Sequence, residues 1–170
     1  AAPDGAITAD KLTESASTSI HYTYRAFSVT AGVSYTLSVA IKAGERTRAW
    51  LYASSIGEAI AYFNLSDGTV SATAGTLSPS ASIDDIGNGW YRCSITFRAA
   101  STVSIFTGCG PTTASGTTNY AGDGTSGIYV WGAQLNLGAS ALTYIPTTTA
   151  AVYSLPRDHN PTTGAPLGVL

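Results

Sequence analysis

A chain of 170 residues has room for one substantial hydrophobic core and is short for two. Its formal charge of -2, with eight basic residues scattered along it, offers neither a phosphate-backbone footprint nor a polybasic membrane patch. Charged side chains make up only 11% of the sequence against the usual quarter, and Gly, Ser, Thr and Ala take their place, so the expectation is a strand-rich protein with no nucleic-acid partner.

The opening AAPDGAITADKL has neither the basic start nor the apolar core of a secretory signal, and no apolar run approaches the roughly 20 residues that span a bilayer, so membrane insertion is not expected. A turn is expected at Pro3-Asp4-Gly5. SIHYTYRAFSV (19–29) reads as a strand, which Thr30-Ala31-Gly32 turns into VSYTLSVAIKA (33–43). There Val33, Tyr35, Leu37, Val39 and Ile41 share one face, with Ser34, Thr36, Ser38 and Lys42 on the other, the period of a half-buried strand. Residues 48–53 and 59–65 are two further strands, followed by the turn Ser66-Asp67-Gly68 and a Thr/Ser/Ala-rich passage through Pro79. A short strand at 82–86 leads into GNGWYRCSITF (87–97), where a Gly/Asn turn opens onto Tyr91, Cys93, Ile95 and Phe97 on one face and Trp90, Arg92, Ser94 and Thr96 on the other. After a strand at 102–107, the Gly-, Thr-, Ser- and Pro-rich run 108–127 reads as a long loop carrying Tyr120 and Asp123. GIYVWGAQL (127–135) alternates again, and Thr143-Tyr144-Ile145-Pro146 is read as a last strand ended by its proline.

No segment places apolar residues at helical spacing. Short strands separated by Gly-rich turns indicate an all-β fold, an antiparallel β-sandwich or jelly roll, with an immunoglobulin-like sandwich sharing the coarse pattern. Cys93 and Cys109 are the only cysteines, and Cys93 lies in the apolar register of its strand, so it reads as a buried small hydrophobe rather than half of a disulfide.

Nucleophilic catalysis needs a base beside the nucleophile, and His21 and His159 are the only imidazoles, with no G-x-S-x-G elbow. His21 is expected on the open face of a strand and His159 in the tail. Asp10, Glu14, Glu58, Asp84, Asp85 and Asp123 sit mostly in turn-like settings that suit structural roles better than a glycosidase pair. The chain is therefore expected not to be an enzyme and to need no organic cofactor.

Sugar binding asks for flat aromatic faces beside amides, guanidinium groups or carboxylates. Tyr22-Tyr24-Arg25, Arg48-Trp50-Tyr52, Tyr62-Asn64, Trp90-Arg92 and Tyr129-Trp131-Gln134 each combine the two. Arg48, Trp50 and Tyr52 alternate, so they project from one strand face. With Tyr62 and Asn64 they are the expected ligand-binding groove, Tyr22 and Arg25 coming next. Tyr35, Tyr91 and Phe97 read as core, and Trp90 and Trp131 as closing the ends of the barrel.

The succession APDG-ITADKLTE, VTAGVSYTLSVAIKAGERT, IGNGWYRCSITF, YAGDGTSGIYVWGAQLNLG and TYIPTTTAAV resembles a domain recurrent in phage tail and virion proteins. That domain is itself similar to the jelly-roll carbohydrate-binding modules of polysaccharide-degrading enzymes. The resemblance implies a galactose-binding-like or carbohydrate-binding-module-like jelly roll over residues 1–152 and a virion or extracellular location. It also implies a strand preceding the APDG segment, and a structural calcium for which Asp4, Asp10 and Asp123 are the carboxylates in turn settings. LPRDHNPTTGAPLGVL (155–170) resembles a connector between such modules, so 153–170 is expected to be an extended arm or linker, suited to packing on a neighbouring subunit. Two functions follow: attachment to a host or environmental polysaccharide or cell-surface glycan, or a structural decoration or assembly domain that contacts other virion proteins or copies of itself.

Overall fold

The computed structural model describes residues 1–54 and 58–147. The expected arm at 153–170, with His159, and the last residues of the expected domain, 148–152, lie outside the described residues.

Eight strands form the frame: β1 (Asp10–Thr13), β3 (Thr23–Val29), β4 (Ser34–Ala43), β5 (Arg48–Ser54), β6 (Glu58–Asn64), β9 (Trp90–Arg98), β10 (Val103–Pro111) and β12 (Gly127–Leu137). The hairpin β5–β6 is the innermost pair, and β4 pairs with β9, β3 with β10 and β1 with β12, all antiparallel. Each later strand thus folds back on an earlier one, a long hairpin rolled across two sheets. The result is the jelly-roll form of an antiparallel β-sandwich. The sheets run β1-β12-β4-β9-β8 and β3-β10-β5-β6-β7, where β7 (Thr69–Ala74) and β8 (Ser80–Asp85) add one strand to each. A separate small ladder joins β2 (Thr18–Ile20) to β11 (Asn119–Ala121).

The inward faces follow strand alternation. Tyr35, Leu37, Val39 and Ile41 of β4 and Cys93, Ile95 and Phe97 of β9 meet Leu51, Ala53, Ala59, Ala61, Phe63 and Ile105 from the other sheet. Ile41, Leu51, Phe63 and Ile95 are fully buried, each contributing about 1.5–3 kcal/mol of apolar transfer. The second sheet places alanines inward at Ala49, Ala53, Ala59 and Ala61 and its large rings, Trp50, Tyr52 and Tyr62, outward. Small inward side chains let the sheets approach closely, and the outward rings need another explanation.

Several segments differ from expectation. The strand expected at 19–29 is divided at His21-Tyr22, because β2 pairs with β11 while β3 pairs with β10. The expected loop 108–127 begins as four more residues of β10, and Asn119–Ala121 is a strand. β1 and β7, too polar to show alternation, are strands at sheet edges. No strand forms at 143–146. That segment returns over β12, held by Gln134 Nε2 donating to Leu142 and Thr143 carbonyls, and by Ile145 N donating to Gln134 Oε1 at 2.9 Å. Tyr144 rests on the backbone of Gly132, at the irregularity in β12, and packs against Trp131 at 4.5 Å. β4 is consequently buried on both faces rather than one: Thr36 and Ser38 are 0% exposed. Their hydroxyls are matched there by Thr96 and by Arg92.

Cys93 and Cys109 are free thiols facing the core from opposite sheets. Burial pushes both thiols up, Cys109 to about 12, so little thiolate forms near neutrality. Native protein treated with iodoacetamide at about pH 8 should stay unmodified and react at both sites once unfolded, which intact mass spectrometry will read.

Candidate functional site

The outer face of β3-β10-β5-β6-β7 carries a cluster of aromatic residues that the core does not use. Cross-strand register sets them in rows. One runs Tyr62, Trp50, Gly110 and then Tyr22 just before β3; the next runs Ile60, Tyr52, Gly108 and Tyr24. Trp50 and Tyr52 are stacked at 4.7 Å and lean onto the two glycines of β10. A Cβ at Gly108 would lie 2.8 Å from the Tyr52 ring, and one at Gly110 2.8 Å from Trp50 Nε1. Tyr22 then closes on them, 5.7 Å from Tyr52 and 6.2 Å from Trp50, while stacking on Tyr24 at 5.5 Å.

The expected groove residues thus separate by role. Trp50 and Tyr52 are only 7% exposed. They form the floor of the face, with the Trp50 indole N–H buried and without a hydrogen-bond partner among the described residues. Tyr22 and Tyr24 are 42% and 56% exposed and Tyr62 is half-buried, so these offer ring surface to solvent. Arg48 shares the face with Tyr62. Asn64 is committed to the β6–β7 turn, donating to Asp67 at 2.7 Å and accepting from Ser66 N. Arg25, one residue from Tyr24, alternates to the opposite face of the edge strand and pairs in register with the buried Thr107.

Beside Tyr62 lies a cleft of about 290 Å³ between β5–β6–β7 and the segment after β10, lined by Arg48, Tyr62, Ser71, Thr112, Ser115 and Gly116 among others. The wall at 112–117 is a tight turn. Thr117 N donates to Thr113 Oγ1, Gly116 N to the Thr113 carbonyl, and Gly116 takes the left-handed conformation that turn requires at φ +83. Thr112 N donates to the Arg48 carbonyl and anchors the wall to β5. The sequence gives no hint of this wall beyond its small and hydroxylated composition.

A second polar cluster forms around Glu14. Glu14, read as a turn carboxylate, is 2% exposed. Its oxygens accept from Arg46 Nε and Nη2, from Tyr120 Oη at 2.7 Å and from Asp123 N at 2.9 Å. The Arg46 guanidinium holds the Glu14 carboxyl down to about 2 against the opposing effect of burial. His21, expected on an open strand face, is 5% exposed and packs edge-on against Tyr120. Its Nδ1 accepts from Ser15 N at 3.2 Å and Nε2 donates to the Tyr120 carbonyl at 3.2 Å. These contacts tie the chain before β3 to the segment before β12, with Glu14 accepting four hydrogen bonds. The arrangement is a clamp.

Asp4, Asp10 and Asp123, the carboxylates considered for calcium, are not gathered: among the described residues no group of three or more His, Cys, Asp or Glu side chains is placed to hold a metal. Asp4 accepts from Ala6 N, and Asp10 lies in β1 opposite Val130. Both Asp123 oxygens are engaged by Thr125 and Ser126, which lower its pKa, the Ser126 hydroxyl foremost. Trp90 is buried, and Trp131 is half-buried under Tyr144 rather than closing a barrel end. No helix is long and apolar enough to cross a membrane among the described residues. No known family matches the chain, and no curated protein matches it either.

Proposed function

We propose that the chain is a non-catalytic carbohydrate-binding domain of a phage virion or tail protein, attaching to host or environmental glycans through the outer face of β3-β10-β5-β6-β7. The observation that carries this reading is the gathering of Tyr22, Tyr24, Trp50, Tyr52 and Tyr62 on that face, beside a cleft holding Arg48. A core does not require these rings, since the inward positions of the same strands are filled by alanine, leucine and phenylalanine. Tyr62 and Tyr22 stand three strand spacings apart, about 14 Å, a span that suits several consecutive sugar rings. Hydroxyls of Ser71 and Ser115 and the Arg48 guanidinium supply polar contacts that a saccharide uses along its edge. Binding at one such open face is weak and gains strength from many copies on a particle.

The second reading, a decoration or assembly domain, is favoured by Tyr24 and Phe106. They are 56% and 50% exposed and meet edge to face at 5.3 Å on the same face, an apolar pair that equally suits a protein neighbour. A glycan array followed by calorimetry on the hits separates the two. Tyr62→Ala should weaken binding about tenfold without shifting the thermal midpoint by more than a few degrees, since Tyr62 is not a core residue. A folded protein that binds no glycan and shows a fixed multiple of the chain mass by light scattering would select assembly.

A further inference from the structure

Resting on the saccharide reading above, we infer that the glycan is an acidic one and that Arg48 takes its carboxylate. Most cations of the described residues are committed elsewhere. Arg46 pairs with Glu14 and Lys11 with Glu45. Arg92 donates to Ser38 Oγ and the Gly132 carbonyl, Arg98 to the Gly32 carbonyl and Lys42 to the Asn88 carbonyl. Arg25 has no ion pair among the described residues, but it is exposed and on the other face.

Arg48 differs from all of these. It is half-buried and lines the cleft, and its one side-chain hydrogen bond among the described residues is Nη1 donating to Ser71 Oγ at 3.1 Å. Among the described residues no carboxylate lies within ion-pair distance of it. Asp67, on the nearby β6–β7 turn, is turned to Asn64 Nδ2 and Thr69 Oγ1. A guanidinium that lines a cleft and keeps most of its N–H donors free is arranged for an incoming anion, and its planar fork matches a carboxylate with two parallel bonds. The neighbours set the rest of the ligand. The Tyr62 ring borders the same cleft and takes the apolar side of a pyranose, while Ser71 and Ser115 face it with hydroxyls rather than charge. A uronic acid carries both an apolar ring face and a carboxylate, so the ligand class is a polyuronate or another glycan with carboxylated sugars.

The test is calorimetry with pectate, alginate and hyaluronate, each beside its carboxyl-reduced form, on the whole chain and on Arg48→Gln, Arg48→Lys and Tyr62→Ala. At least one polyuronate should bind. Its reduced form, and the Arg48→Gln variant with the intact polymer, should each bind about 10- to 100-fold more weakly. Arg48→Lys should recover part of the loss, and Tyr62→Ala should weaken intact and reduced forms alike. Equal binding of acid and reduced forms with no effect of Arg48→Gln, or binding to neutral glycans alone, would overturn the acidic inference while leaving the saccharide reading in place. A folded chain that binds neither class overturns both.

Discussion

Glu14→Ala should destabilise the fold by about 3 kcal/mol, the low end of the range for breaking a buried ion pair, because the Arg46 side chain it abandons is 28% exposed and can recover water. The loss reaches beyond the pair, since Tyr120 Oη and Asp123 N are left without their acceptor. The same clamp sets an acid limit. Glu14 sits near 2 in the folded protein against 4.5 when unperturbed, so its contribution, about 3 kcal/mol at 1.36 per unit, is complete above the unfolded value. It is lost as pH falls from about 5 through about 2. Asp123, lowered by its Ser126 and Thr125 bonds, acts in the same direction. Urea unfolding at a series of pH values should show wild type losing its advantage over Glu14→Gln across that window. Parallel curves would mean that Glu14 is not the group that titrates.

Gly110→Ala should cost about 3 kcal/mol, the upper end of overpacking penalties, and should also abolish the glycan binding proposed for this face. The added methyl would lie 2.2 Å from the His21 carbonyl oxygen and 3.1 Å from Tyr22 Cα, so backbone and not a flexible side-chain end must move. It would also lift Trp50 from its seat and part β10 from the chain entering β3. Unfolding midpoints will measure the first effect. The loss of Tyr22–Trp50 packing should appear as a change in the near-ultraviolet circular dichroism of the aromatic residues. A Gly110→Ala protein with wild-type stability and spectrum would mean that the rings do not depend on this glycine.

The strands most legible in the sequence are those where polar and apolar side chains alternate without interruption, as at Val33–Ile41 and Tyr91–Phe97. β7 is not legible because TVSATA has little contrast between its faces, nor β1 because its DKLT is mostly polar. β10 runs on past Thr107, where GCGP opens a Gly-, Thr-, Ser- and Pro-rich run that reads as loop but is still strand. Its glycines admit the backbone at Thr23 and His21 on one side and the Tyr52 and Trp50 rings on the other, an explanation that exists only once β3, β5 and β10 are neighbours. The same dependence hid the clamp: Glu14 is buried by Arg46, 32 residues on, and Tyr120, 106 residues on. At the candidate site, alternation correctly set Arg48, Trp50 and Tyr52 on one face. It gave no measure of how far Trp50 and Tyr52 are covered, and Arg25, near Tyr22 and Tyr24 in sequence, falls by the same alternation on the opposite face.

The binding proposed for the outer face of the second sheet is checked by mapping backbone amide chemical shifts while a glycan identified on the array is titrated into the isotope-labelled chain. Saturable shifts confined to β5, β6, the 112–117 turn and Tyr22 are the expected result. Shifts centred on Trp131 and Tyr144 across the opposite sheet, or none at saturating glycan, would contradict it.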